Sequence, residues 1–128
     1  MELITSGEQT VNSKSAVLFQ TAVSAGSPSI WWREGSGLVN LRGLGPQARA
    51  RFRVSYHANV ALAATASVTP IYVAITIGGE TINSSQSIST PGAVSEYNNV
   101  SATTLIDVPF GCCTTISLDN VGTSDITI

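Results

Sequence analysis

Between Arg49 and Val60 the chain alternates without a break. Ala50, Phe52, Val54, Tyr56, Ala58 and Val60 take one parity, and Arg49, Arg51, Arg53, Ser55, His57 and Asn59 take the other. Successive side chains of a strand point to opposite faces, so this pattern specifies one long strand with a buried and a polar face. Pro70 to Ile77 is instead apolar on both parities. Such a strand is covered on both sides, and the expected covers are the sheet core and a neighbouring subunit. Gly78-Gly79 then permits positive φ at a two-residue turn, and Glu80-Thr81-Ile82 begins the return strand.

The remaining segments read the same way. Ser84 to Gly92 is a Ser-rich loop with a short strand around Ile88, and Asn99 to Val108 is a strand stopped by Pro109. Cys112 to Leu118 alternates with Cys112, Thr114, Ile116 and Leu118 inward, Asp119 to Gly122 supplies a turn, and Ile126 and Ile128 mark a last strand. Upstream, strands are expected over Ala16–Val23, Ser29–Trp32 and Gly37–Arg42. Eight or more short strands separated by Gly, Pro, Ser and Asn specify an all-β sandwich or jelly roll. No fixed-period repeat and no linker divide the chain. The reading is one jelly-roll domain over residues 16–128, preceded by a polar segment, 1–15, free to act as a docking arm.

Composition narrows what such a domain does. At 128 residues there is room for one core. Charged residues make up 11%, less than half the roughly 25% of average soluble domains. Polarity comes from Ser and Thr, nearly a quarter of the chain. Such a surface offers little like-charge repulsion, which favours an obligate oligomer over a neutral monomer. A formal charge of −2 gives no electrostatic footprint for nucleic acid. No apolar run approaches the roughly 20 residues of a membrane-spanning helix. Met1 is followed by Glu2 and polar residues, without the basic start and apolar centre of a secretory signal, so no export address is expected.

Several longer motifs carry a resemblance. Trp32-Arg33-Glu34-Gly35-Ser36-Gly37-Leu38-Val39-Asn40-Leu41-Arg42-Gly43 is similar to an REGSG-x-V-x-LRG motif of small proteins encoded by gut Firmicutes and their phages and prophages. Arg51 to Asn59, Pro70 to Ile75, Thr90 to Val94 and Asp107 to Cys113 match further, in order, over most of the chain from about residue 30. The chain thus resembles a family whose fold is similar to the tumour-necrosis-factor jelly roll. The resemblance implies a homotrimeric, non-enzymatic protein of the virion surface. A capsid decoration, cement or head-fibre subunit is the implied role, with the major capsid protein or another virion protein as partner.

Candidate site residues can be weighed against plainer roles. His57, the sole histidine, lies on the polar parity of its strand and reads as a surface or interface group rather than a catalytic base. Arg49, Arg51 and Arg53 form a stripe that either meets an anionic partner or, the favoured reading, pairs with carboxylates on adjacent strands or across a symmetry axis. Of Trp31 and Trp32, adjacent on a strand, one is expected in the core and the other on the surface as an interface anchor. The alternative for an exposed Trp is stacking on a host glycan at a fibre tip. Tyr72, on the outer parity of the doubly apolar strand, is a second interface candidate, and Tyr97 a third.

Cys112 and Cys113 are adjacent and do not easily bridge each other. They read as small buried groups, with an intersubunit disulfide through the outward one as the alternative. Gly43-Leu44-Gly45-Pro46-Gln47-Ala48 copies a dinucleotide-binding string but precedes an alternating strand where a helix is required. No paired acids, nucleophile–base set or metal-ligand cluster emerges, so neither an enzyme nor a cofactor is expected.

Overall fold

The computed structural model describes residues 1–24, 28–43, 49–109 and 113–128; the side chains of Arg49, Pro109 and Cys113 are outside the description. Twelve strands appear in these segments. They are β1 (Glu2–Ile4), β2 (Thr10–Val11), β3 (Thr21–Ser24), β4 (Ile30–Trp32), β5 (Val39–Arg42), β6 (Arg49–Leu62), β7 (Ile71–Ile77), β8 (Glu80–Thr81), β9 (Ser87–Ser89), β10 (Asn98–Pro109), β11 (Cys113–Asn120) and β12 (Ile126–Thr127). A single 3-10 turn spans Asn83–Ser85. The long alternating strand, the Gly-Gly hairpin, the short strand around Ile88 and the strand ended by Pro109 all form where their patterns place them.

Two antiparallel sheets face each other. One runs β10-β6-β12-β2; the other runs β4-β5-β11-β7-β8, with β9 also pairing along β7. Their facing residues make one core that includes Val60, Leu62, Val100, Ile106 and Val108 from the first sheet and Leu41, Val73, Ile75, Ile116 and Leu118 from the second. The chain is an all-β sandwich with a strand order consistent with a jelly roll. Val11 of β2 is buried in that same core, so the N-terminal 15 residues contribute to the packed domain. A separate two-stranded ribbon, β1-β3, belongs to neither sheet.

Local chemistry explains the joints. Gly78 and Gly79 hold φ of 57° and 91°, the left-handed pair that a two-residue turn needs to join β7 to β8. Gly37 is required for a different reason: a Cβ there would lie 2.6 Å from the Val17 carbonyl oxygen. Asn120 is 1% exposed and satisfies all its polar atoms. It donates to the carbonyls of Val11 (3.1 Å) and Ser124 (2.8 Å) and accepts from the Gly122 amide (3.1 Å), tying β2, β11 and the last turn together.

Three expectations need correction. Ala16–Val23 is not one strand: Ala16 makes an isolated bridge to Asp119, and regular pairing resumes only at Thr21. Between them the Gln9 side chain substitutes for a strand partner, accepting from the Leu18 amide at 3.0 Å and donating to its carbonyl at 2.9 Å. Asp119 and Asn120 end β11 rather than forming the turn, which begins after them. Finally, the outer face of β7 needs no neighbouring subunit. Ala74 and Thr76 are buried within the single chain, Thr76 with its hydroxyl 2.7 Å from that of Ser117.

Candidate interaction site

The outward face of the β6–β10 ribbon carries Arg51, Arg53 and His57 of the predicted site residues. Antiparallel register sets Arg51 opposite Asp107, Arg53 opposite Leu105, Ser55 opposite Thr103, His57 opposite Ser101 and Asn59 opposite Asn99. Residues opposed in register share a face, so these ten line one surface. Arg51 and Asp107 form a forked ion pair, Nε to Oδ1 at 2.8 Å and Nη2 to Oδ2 at 3.4 Å. The hydrogen bond and charge of Asp107 raise the Arg51 pKa further above its ordinary value. Arg53 has no carboxylate within 4 Å among the described residues; its cross-strand neighbour is Leu105, an exposed apolar side chain at 60%. Asn99 donates to Asn59 at 3.2 Å, and His57 lies exposed between them and Ser55. The backbone of Arg49 continues the stripe, opposite Pro109.

The inner parity of the same strand is fixed by one hydroxyl. Tyr56 reaches across to the second sheet, where its hydroxyl lies 3.0 Å from the Val73 carbonyl, 2.7 Å from the Ser85 carbonyl and 2.9 Å from the Ser87 hydroxyl. Its burial outweighs the opposing effect of hydrogen bonding with Ser87 and raises the phenol's pKa above 10.0. Ser85, fully buried, accepts from the Ile75 amide at 2.9 Å and donates to the Ile82 carbonyl at 2.7 Å. These bonds set the orientation of β6 and therefore of everything on its outer face.

The other predicted residues fall on the opposite sheet. Trp31 is 54% exposed on edge strand β4 and shares the outer face with Asn40 and Thr115, which are themselves joined by a 2.8 Å hydrogen bond. Trp32 faces inward with Ile30 but is only half-buried, and its indole N–H donates to the Ser36 carbonyl at 2.9 Å. It lies outside the core cluster, contrary to the expectation that one Trp would be a core residue. The short β4 sits at the sheet edge and cannot enclose so large a ring. Tyr72 is half-buried beside Ile88, separated from Trp31 by β5 and β11. Tyr97 is exposed and bonds Glu8 at 3.1 Å.

Thus the seven candidates do not converge. Arg49, Arg51, Arg53 and His57 follow one strand, while Trp31 and Tyr72 occupy separate parts of the other sheet. Cys112 and the glycine-rich string at residues 44–48 lie outside the described residues. Leu105 is the residue that reading the sequence missed, although a signal existed: Val100, Thr104, Ile106 and Val108 inward leave Leu105 as the apolar exception on the outward parity. Compared with known protein families and with curated proteins, the chain matches no family model and no curated relative.

Proposed function

We propose that this chain is a non-enzymatic structural subunit of a phage virion surface, assembled as a homotrimer of tumour-necrosis-factor-like jelly rolls. The observation that carries the reading is the winding of the two sheets. Each sets early strands beside late ones, β2 beside β12 and β5 beside β11, the double Greek-key pattern of jelly rolls. Supporting it is the β6–β10 face, where exposed Leu105 lies between the Arg51–Asp107 pair and the neutral Ser55 and Thr103, opposite Arg53, which has no carboxylate within 4 Å among the described residues. That surface suits close self-association better than it suits open water. In this reading Arg53, His57 and Leu105 line the subunit contact, and the assembled trimer docks on the capsid lattice.

Leu105→Asp tests the contact. Leu105 is exposed in the single chain, so the variant keeps its strand circular-dichroism signal and loses its threefold mass in light scattering. An unchanged threefold mass would remove this face from the interface. Co-sedimentation of the wild-type protein with purified capsids tests the docking step.

One observation favours a second reading, a carbohydrate- or receptor-binding module. Trp31 presents an exposed aromatic ring next to the hydrogen-bonding pair Asn40 and Thr115, the combination that holds a sugar ring. Glycan-array binding that disappears in Trp31→Ala would favour it; an array signal unaffected by that change would dismiss it.

A further inference from the structure

The outer face of the second sheet gathers exposed groups around one aromatic ring on β4. Antiparallel register puts Trp31 of β4 opposite Asn40 of β5, and Asn40 opposite Thr115 of β11, so the three form one row across three strands. Arg42 lies two residues beyond Asn40 on the same face, diagonal to Trp31 and within reach of its ring. The Arg42 side chain is exposed and donates from Nη2 to the Pro28 carbonyl at 3.3 Å. It has no carboxylate within 4 Å among the described residues, and neither has exposed Arg33, just past the end of β4. The sequence of residues 25–27, 44–48 and 110–112 contains no Asp or Glu. Thr115 donates its hydroxyl to Asn40 Oδ1 at 2.8 Å. That bond leaves the Asn40 amide donors and the Thr115 lone pairs without a partner among the described residues.

We propose that this face binds an acidic sugar, a pyranose carrying a carboxylate, and that Arg42 selects for the acid. The inference rests on the carbohydrate-binding reading of Trp31 and is independent of the trimer. Each part of such a ligand has its own complement here. The apolar face of a pyranose ring stacks on an exposed indole, and Trp31 is 54% exposed. Ring hydroxyls both donate and accept, and Asn40 offers spare donors where Thr115 offers a spare acceptor. A carboxylate takes two parallel N–H bonds from a guanidinium, and Arg42 supplies the guanidinium diagonal to the ring.

Charge decides between an acidic and a neutral sugar. The chain as a whole is acidic, at −2, so two arginines without carboxylates beside Trp31 are a local excess of positive charge. The Pro28 bond also fixes where that charge stands, at the start of β4 and three residues before the ring. On an open face water competes for every neutral hydrogen bond, so the ion pair is the contact that separates one sugar from another. Strands about 4.8 Å apart set roughly 10 Å between Trp31 and Thr115, so the row extends past a single ring and suits a short saccharide chain.

NMR titration of the full chain reads the site through its two indole N–H signals, told apart by Trp31→Ala. The probes are methyl β-glucuronide and methyl α-sialoside, beside the neutral methyl β-glucoside and sodium acetate. At least one sugar acid should shift the Trp31 signal and leave in place that of Trp32, which is bonded to Ser36. It should bind at least about tenfold more tightly than the glucoside or acetate. Arg42→Gln should remove that preference while the strand circular-dichroism signal is kept, and the tighter of the two acids tells a uronate from a sialic acid. Equal affinity for acid and glucoside, or a preference that survives Arg42→Gln, overturns the inference and leaves the carbohydrate reading standing. Acetate binding as tightly as the sugar acids also overturns it, reducing the site to an anion contact. No shift with any probe overturns this inference and the carbohydrate reading together.

Discussion

The two halves of the sandwich are built to different standards. β7 and β11 each have neighbours on both edges, Val73 and Ala74 are fully buried, and the Ser85 and Asn120 side chains satisfy the backbone where strands give way to turns. Along the first ten residues of β6, β10 is the one pairing strand among the described residues, and Phe52, Val54 and Tyr56 are only half-buried. The β1-β3 ribbon beside them has no residue fully buried, and a lone two-stranded ribbon is marginal in water. The comparison teaches that the core is packed tightly around β7 and β11 and more loosely beside the first ten residues of β6. The looser end adjoins the outward face that carries the exposed Leu105 opposite Arg53.

Substitutions sharpen or break that contrast. The largest effect is expected where packing is tightest, at the β12-paired end of β6. Leu62→Ala removes a fully buried side chain and should lower the unfolding free energy by about 2–5 kcal/mol in denaturant titration. Phe52→Ala, at the looser end, should cost clearly less despite the larger truncation, because its ring is only half-buried. Equal losses would mean that both halves are packed alike.

Next comes Asn120→Ala, which strands the Val11 and Ser124 carbonyls and the Gly122 amide. An expected loss of about 1–3 kcal/mol, with β2 exchanging faster than β10, separates a local clasp from a general core defect.

Tyr56→Phe removes the hydroxyl that joins the halves and is expected to cost about 1 kcal/mol near neutral pH. Its pH signature is the stronger check. The folded-state pKa of Tyr56 is raised, chiefly by burial, so the folded chain holds the phenolic proton more tightly than the unfolded chain. That contribution is fully present below pH 10.0 and is lost as pH rises through the folded value. Wild-type stability should therefore fall above pH 10.0 more steeply than that of Tyr56→Phe, measured by melts across an alkaline series. Parallel curves would contradict the bridging role.

The smallest effect belongs to Arg51→Ala. Its ion pair with Asp107 is exposed to solvent and screened by salt, so the melting temperature should not move measurably at physiological ionic strength. A clear loss in the assembled protein alone would place Arg51 in the contact.

Much of the fold was legible because the pattern was local. The alternation from Arg49 to Val60 needed only the strand period, and Gly78-Gly79 needed only the left-handed turn. What escaped was set by contacts distant in sequence. Gln9 interrupts the expected strand around Leu18, and Asn120 holds a turn through Val11, more than a hundred residues upstream. The cover over Ala74 and Thr76 came from the chain itself, which two apolar parities cannot distinguish from a subunit. Of the site, the polar stripe on β6 was legible residue by residue. Its partner strand was not, so Asp107 and Leu105 emerged only once the β6–β10 register was known.

Native mass by light scattering, over a hundredfold dilution of the purified chain, tests the central claim most directly. A homotrimer gives a mass three times the 13.3 kDa of one chain, constant across the series. A constant mass of 13.3 kDa would contradict the trimer and leave the β6–β10 face as the surface of a monomer.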